Sequence, residues 1–315
     1  MTKFDPIDLT RLKTYPLDSR KSKVSVEDFA VPWTRGARFT TFLETLPSIL
    51  AAGDLRAVID AIAAAARTKK TVALGMGAHV IKVGLSPLLI DLMQRGVLTA
   101  IAMNGAGIIH DLELAMHGQT SEDVAASLQD GSFGMARETG KFLGQAVRTA
   151  GQHGMGLGAA VGATILEADF PHTEKSLLAA CARMNIPATV HVAMGTDILH
   201  MHPDFDPAAA GKTSHHDFRL FASVVASLEG GVYLNVGSAV IMPEVFLKAT
   251  TLVRNLGSPL ENFTTVNLDF IKHYRPMTNV VHRPTAGGGR GFNLVGHHEI
   301  MLPLLAAGII EQIDG

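Results

Sequence analysis

The chain has 315 residues, of which 47% are hydrophobic and 18% charged, and its formal net charge is −2. Charged residues make up about a quarter of an average soluble protein, so much apolar surface must be buried in a large core or in an oligomer. The charge balance excludes nucleic acid and anionic membranes as main partners, because both need a concentrated basic face. A single cysteine excludes an intrachain disulfide, and no apolar run reaches the length of a membrane span, so we expect a cytoplasmic protein.

The first 69 residues are predicted to form an N-terminal arm followed by helices. Residues 1–40 are polar and interrupted by prolines, and Trp33 at their end is expected to dock the arm on the body or on a neighbouring subunit. Helical periodicity begins at Phe39. We expect two helices, broken near Pro47 and at Gly53-Asp54, with Asp54 as an N-cap.

Residues 70–315 alternate between strand-like and helix-like segments and are interpreted as one large domain. The predicted strands are 71–77, 98–107, 187–196, 232–239 and 262–270. The predicted helices are 86–97, 176–186, 217–231, 243–257 and 298–313. Strands that pass through glycine into helices indicate an α/β fold, a parallel sheet with helices on both faces.

Four turns after strands combine glycines with polar side chains, at 75–87, 104–113, 194–204 and 235–244. Ligands of parallel sheets bind at the carboxyl ends of the strands. Neither GxGxxG nor the Walker motif is present. Glycines after strands are also common in the turns of α/β folds in general. The polar residues expected to converge are Asn104, His110, Asp111, Glu113, Asp197, His200, His202, Asn235 and Glu244, a set suited to proton transfer.

The order of the segments 77–123, 176–199, 230–249 and 297–306 resembles the deoxyhypusine synthase family. The resemblance implies that residues 70–315 form a Rossmann-like, NAD-binding catalytic domain, in a homotetramer with sites at subunit interfaces. It implies that Glu113 or Asp111 holds the place of a functional carboxylate. It also implies that NAD is lined by Gly77, Ala78, His79, Asn104, Gly105, Ala106, Gly107, Thr196, Asp197, Gly237 and Ser238.

The sequence departs from that family at its catalytic lysine. The lysine that takes an aminobutyl group as an imine would fall near Asn293, and no lysine follows Lys272. Pro243-Glu244 stands where the family has a histidine pair. The covalent step therefore lacks its nucleophile, and we do not expect this protein to make deoxyhypusine.

His200 and His202 leave two interpretations open. On a strand, both imidazoles would share one face, roughly 6.5–7 Å apart, and could shuttle protons or hold a carboxylate of the substrate. The alternative is a metal site with Asp197, His200, His202 and His215 as ligands, covered by a polar loop at 203–219.

Three functions follow as hypotheses. The first is an NAD-dependent enzyme that takes a hydride from a carbon bearing nitrogen, in an amine or amino-acid substrate. His110, His200 or His202 would be its base, and Asp111, Glu113 or Asp197 would orient that base or bind the amine. The arginines of the 272–293 segment, Arg275, Arg283 and Arg290, would hold a carboxylate or the pyrophosphate, unless that segment is a flexible surface loop. The second is a metal-dependent hydrolase or lyase, and the third a non-catalytic oligomer that binds NAD or a nucleotide.

Overall fold

A computed structural model describes residues 4–313, so the outermost residues of the predicted segments 1–69 and 70–315 lie outside it. Its centre is a six-stranded sheet in which every paired neighbour is parallel. The strands are β1 (Val72–Met76), β2 (Ala100–Asn104), β3 (Ala188–His191), β4 (Val232–Val236), β5 (Thr264–Asp269) and β6 (Arg290–Val295). Their order, β3-β2-β1-β4-β5-β6, is that of doubly wound dinucleotide-binding sheets, and its direction reverses between β1 and β4.

Helices cover both faces of this sheet. They are α1 (Phe39–Thr45), α2 (Leu50–Arg67), α3 (His79–Lys82), α4 (Ser86–Gln94), α5 (Gly105–His117), α6 (Val124–Asp130), α7 (Arg137–His153), α8 (Leu157–Ala168), α9 (Leu177–Met184), α10 (Pro207–Ala226), α11 (Ile241–Asn255), α12 (Tyr274–Pro276) and α13 (His298–Ile313). A π-helical turn, Met277–His282, continues α12, and a 3-10 turn covers Ile198–Met201. In the part of the chain that the structure describes, no helix is long and apolar enough to span a membrane.

The alternation of side chains along each strand divides the interior into two cores. Val72, Leu74 and Met76 of β1 join the larger core, whereas Ala73 faces the smaller one. The smaller core is built around Tyr233, whose ring stacks on Phe246 with centroids 3.8 Å apart. The predicted α/β fold with a parallel sheet is thus confirmed.

The N-terminal helices share the larger core with the body. Helices α1 and α2 pack on α13, where a Cβ added to Gly308 would lie 2.5 Å from Ile59. The arm before them is almost entirely exposed, and Trp33 meets α1 by an edge-to-face contact with Phe42. The predicted helix break at Gly53-Asp54 is wrong, because α2 begins at Leu50 and runs through both residues.

Two further predictions from local sequence are wrong. The polar loop expected at 203–219 is mostly helix α10, because Asp206 accepts a hydrogen bond from the Ala209 N–H and Pro207 occupies the first turn. The segment 272–293 is not a flexible loop. It contains α12, the π-helical turn and the start of edge strand β6, which pairs in register with β5.

Candidate functional site

The turns after β1 and β4 touch at the point where the strand order reverses. The Gly77 N–H donates to the Val236 carbonyl at 3.0 Å, and a Cβ on Gly77 would lie 2.2 Å from the Gly237 carbonyl oxygen. Gly237 has a φ of +61°, which favours glycine. The two turns thus form a narrow floor at the carboxyl edge of the sheet, which only glycines allow.

A pocket of about 190 Å³ opens at the same edge, beyond the ends of β2 and β3. One face of α5 forms its main wall, since residues spaced three and four apart lie side by side on a helix. Lys82 at the end of α3 and the segment after β3 close it. The lining residues are Lys82, Ala106, Ile109, His110, Glu113, Ser121, Glu122, Val124, Phe133, Thr196, Asp197 and Ile198.

A chain of hydrogen bonds orients the polar wall of this pocket. Thr120 Oγ1 donates to Glu113 Oε2 at 2.5 Å and lies 2.7 Å from His110 Nδ1, and Thr139 Oγ1 donates to Glu113 Oε1 at 3.1 Å. A threonine hydroxyl has one hydrogen, so His110 Nδ1 must donate, which leaves its Nε2 as an acceptor. Burial, aided by the nearby Lys82 ammonium, lowers the pKa of His110 to about 4, and this imidazole is neutral at pH 7.

Asp197 places a carboxylate over the beginning of α5. A Cβ added to Gly105 would lie 2.1 Å from Asp197 Oδ2, so Gly105 makes room for this side chain. Oδ2 is buried and has no hydrogen-bond partner among residues 4–313. Burial raises the pKa of Asp197, against the opposing effect of His200. A ligand with a hydroxyl or ammonium group could satisfy this oxygen.

His200 and His202 do not share the face of a strand, and that sequence interpretation is wrong. Strand β3 ends at His191, Gly195 turns with a φ of +87°, and His200 lies in the 3-10 turn Ile198–Met201. His200 Nδ1 accepts the N–H groups of Gly195 and Asp197 at 3.1 and 3.3 Å.

His202 points elsewhere. Its Nε2 donates to the Gly134 carbonyl at 2.8 Å, and its ring packs against Gly140 of α7. Neither His200 nor His202 is among the residues that line the pocket. Within the described chain, no three His, Cys, Asp or Glu side chains are placed to hold a metal ion, and His215 lies on another element, α10.

Asp111 faces the interior rather than the pocket. It is 1% exposed and accepts hydrogen bonds from Ser176 Oγ and from the N–H groups of Leu177 and Leu178, at 2.6, 2.8 and 3.1 Å. The carboxylate therefore caps the beginning of α9, which fixes that helix against α5. Glu113, two residues later, is the carboxylate that reaches the pocket.

The ends of β4, β5 and β6 carry polar residues, only some of which the sequence analysis had selected as site residues. Asn235, Asn267 and Asn293 lie in register and form an amide ladder, with Nδ2–Oδ1 distances of 2.8 Å at both steps. Next to the ladder lie Asp269 and His298, which the sequence analysis did not select. Their sequence signal was that Asp269 lies at the end of the predicted strand 262–270 and His298 opens the predicted helix 298–313.

The arginines of the 272–293 segment do not gather at a common anion site. Arg275 Nε lies 3.4 Å from Glu244 Oε1, and Arg283 Nη1 donates to Asn279 Oδ1 at 3.0 Å. Arg290 begins β6 and lies over the Phe292 ring, at the edge of the sheet opposite to the glycine turns. The contact of Arg275 ties the segment to α11, whereas Arg283 and Arg290 contact residues of the segment itself.

No protein-family model and no curated protein matches this sequence. Among solved structures, it is similar to apo ArgZ, an arginine dihydrolase from the ornithine-ammonia cycle in cyanobacteria, with 17% identity and a TM-score of 0.51 over 84% of this chain and 33% of ArgZ. It is similar to AgrE in ternary complex with ornithine and NAD+, with 15% identity and a TM-score of 0.50 over 84% of this chain and 34% of AgrE. A protein assigned as a deoxyhypusine synthase from Entamoeba histolytica has 11% identity and a TM-score of 0.51 over 90% of this chain and 96% of its own.

At these identities the similarities show the fold alone. The chain spans about a third of the length of ArgZ and AgrE, and nearly the whole length of the Entamoeba protein. They support a Rossmann-like sheet in an arrangement like that of deoxyhypusine synthase, without assigning this chain to a family.

Proposed function

We propose that this protein is an NAD-dependent enzyme that takes a hydride from a carbon bearing nitrogen in an amine or amino-acid substrate. One observation carries the proposal: the sheet reverses its order between β1 and β4, and the predicted glycine turns lie at the carboxyl edge beside that point. Open α/β sheets bind their ligands there. AgrE, which is similar in fold, has been solved with NAD+ and ornithine.

The residues at this edge fit a dinucleotide. Buried polar atoms without a partner among residues 4–313 collect there, namely Asn104 Oδ1, Asp197 Oδ2, Asn235 Oδ1 and His298 Nδ1. The first N–H groups of α5 lack intrahelical partners, and the Asn104 side chain does not cap them, so they suit a pyrophosphate. NAD would be held by Gly77, Ala78, His79, Asn104, Gly105, Ala106, Gly107, Thr196, Asp197, Gly237 and Ser238, and it would supply the hydride acceptor.

The amide ladder supports a route without a lysine imine. The place expected for the lysine holds Asn293, whose Oδ1 accepts from Asn267 Nδ2 at 2.8 Å. The lone pair of an amide nitrogen is delocalised into its carbonyl, so Asn293 is no nucleophile. Oxidation would therefore act on the free amine of the substrate.

Different side chains of the pocket would have different tasks. A base works best when its pKa is near the working pH, so the strongly depressed pKa of His110 suits it to accept a hydrogen bond through Nε2. Glu113 keeps that ring oriented through Thr120. Asp197 would accept a hydroxyl or ammonium group of a ligand. In this proposal Asp111, His200 and His202 hold the walls in place.

The first test is to denature the purified full-length protein and assay NAD, zinc, iron and manganese in the same sample, followed by NAD+ titration of the protein freed of ligand. We expect NAD and no stoichiometric metal. Asp197→Ala should weaken NAD+ binding at least about tenfold, because a hydrogen bond to a charged group contributes about 1.5–3 kcal/mol.

Asp204→Ala is the matched control. Asp204 lies on the same connection, but its carboxylate lies 4.0 Å from Arg148, outside the pocket. A panel of diamines and amino acids then serves to detect NAD+ reduction by the absorbance of NADH. Failure of the wild-type protein to bind NAD+ would overturn the proposal, and stoichiometric metal without NAD would favour the hydrolase or lyase.

A further inference from the structure

A second polar cluster lies beside the point where the strand order reverses, on the side away from the pocket. It consists of His79 after β1, Asp269 and Phe270 at the end of β5, and His298 at the beginning of α13. The rings of His79, Phe270 and His298 contact one another, with centroid distances of 5.3 to 6.2 Å. Of these residues, only His79 is expected at the cofactor site from the sequence.

His298 is fully buried, yet it keeps one nitrogen unsatisfied. Its Nε2 lies 3.3 Å from the Leu268 carbonyl and 4.0 Å from Asp269 Oδ1, and both oxygens are acceptors, so Nε2 carries the hydrogen. Nδ1 is then a lone-pair acceptor with no partner in the described chain. A Cβ on Gly237 would lie 2.8 Å from His298 Cε1, which places this imidazole against the floor of the crevice.

His79 occupies the position between His298 and solvent. It is exposed, and its ring meets the His298 ring edge-to-face, with an angle of 61° between the ring planes. It follows directly on Gly77 and Ala78, so the close contact between the two glycine turns fixes its backbone. In this order, the side chains of Asp269, His298 and His79 therefore lie from the interior of the protein to the edge of the crevice.

Burial, rather than the charged groups around it, keeps His298 neutral at pH 7. Burial lowers its pKa, and repulsion from His79 acts in the same direction, whereas Asp269, the Leu268 carbonyl and Glu299 oppose the shift. The other titratable neighbour is His297, whose ring lies parallel to that of Phe270. A buried neutral imidazole can orient an exposed one without competing with it for a proton.

We propose that His79 is a catalytic acid–base residue and that His298, supported by Asp269, is its positioning residue. This inference rests on the proposed function. His79 takes one proton from the substrate ammonium group, which breaks an N–H bond and leaves the neutral amine. Bound NAD+ would supply the hydride acceptor: the hydrogen of the C–H bond would leave with the electron pair of that bond, and the nitrogen lone pair would form the C=N bond of an iminium product. The amine would thus be oxidised as NAD+ is reduced to NADH, and exposed His79 would return its proton to water.

The location is tested without catalysis, by carbethoxylation of the full-length protein with diethyl pyrocarbonate and mass spectrometry of its peptides. NAD+ at about ten times its Kd should slow modification of His79 about tenfold, since only the free protein reacts. His153, exposed at the end of α7, is the control and should react at an unchanged rate. Bound NAD+ that leaves His79 unprotected would overturn this inference and not the proposed function.

The role is tested with the amine of the panel that reduces NAD+ fastest. His79→Ala should lower that rate about 10²–10⁴-fold, the range for general base catalysis, and added imidazole should restore part of it. NAD+ affinity should fall by a much smaller factor than the rate, because His79 is one of eleven residues that would hold NAD. Full activity of His79→Ala, or no recovery with imidazole, would overturn the catalytic role.

His298→Gln tests the positioning role in a protein that still folds, because its amide can donate to the Leu268 carbonyl. We expect kcat to fall by a larger factor than KM for NAD+ rises, and the pH profile to shift. Wild-type kcat and an unshifted profile would contradict that role. If the wild-type protein binds NAD+ but no amine or amino acid of the panel reduces it, the oxidation shared by both proposals is overturned.

Discussion

At the scale of single residues, Asp217 is a buried acid whose protonation is linked to folding. Its Oδ2 accepts the N–H groups of Gly158 and Val190 at 2.9 and 2.8 Å, which joins α8 to β3. Burial raises its pKa from 3.8 to about 7, although those N–H groups oppose the shift. The folded protein then binds this proton more tightly than the unfolded chain. The resulting stabilisation is complete below pH 3.8 and is lost as the pH rises towards about 7.

Asp217→Asn removes this titration, and we expect it to gain stability relative to the wild type as the pH rises. Between about pH 5 and about pH 7.5 the difference in free energy of unfolding should change by about 1–3 kcal/mol, because one proton contributes about 1.4 kcal/mol per pH unit. Urea unfolding at both pH values measures it. Asp91→Asn, at a half-exposed side chain, is the control. If the free energy of unfolding changed equally with pH in Asp217→Asn and in the wild type, Asp217 would not be held neutral.

At the scale of elements, edge strand β6 depends on a close approach between backbones. A Cβ on Gly291 would lie 2.0 Å from the Val281 carbonyl oxygen in the π-helical turn, whereas Gly287, four residues earlier, has nothing within 4 Å of such an atom. Gly291→Ala should therefore lower the free energy of unfolding by about 1–3 kcal/mol, the usual cost of overpacking. Gly287→Ala should change it by less than about 1 kcal/mol. Urea unfolding of the two variants measures both changes. Equal losses of free energy of unfolding would contradict the close contact at Gly291.

The same element shows how far the sequence predicts the structure. Strands β1 to β5 were predicted because each is a buried apolar run that ends near a turn. β6 was missed because Arg290 and Gly291 open it, and its pairing depends on a turn distant in the chain. Local spacing also misplaced His200, since β3 ends at His191 and Gly195, with a φ of +87°, turns the chain before His200.

The candidate site was predictable to a similar extent. The glycine turns could be placed at one edge, because the carboxyl ends of parallel strands meet there. Their partners could not, because the contact of His79 with His298 joins residues more than two hundred positions apart. The capping role of Asp111 depends equally on α9, which a local motif does not show.

At the scale of the whole molecule, the N-terminal arm leaves apolar surface without cover. Between residues 7 and 33 the exposed large apolar side chains are Ile7, Leu9, Leu12, Tyr15, Leu17, Val24, Val26, Phe29, Val31 and Trp33. Large exposed apolar patches typically mark an interface. We therefore propose that a second copy of the chain covers the arm, in line with the homo-oligomer, by resemblance a tetramer, expected from the sequence.

Deleting residues 1–24 should dissociate this oligomer without unfolding the body. The cut leaves the anchored part of the arm intact, where Ser48 Oγ donates to Asp28 Oδ1 at 2.7 Å and the Val31 N–H donates to the Thr45 carbonyl at 3.0 Å. Sedimentation should show the full chain as a multiple of 33.4 kDa and the shortened chain at a lower multiple. Replacing Ile7, Leu9 and Leu12 by Asp keeps the length of the arm and should have the same effect, because burying unpaired carboxylates in an apolar contact is costly. A full chain that sediments at 33.4 kDa at every concentration would exclude the oligomer, and an oligomer that survives both changes would place its interface outside the arm.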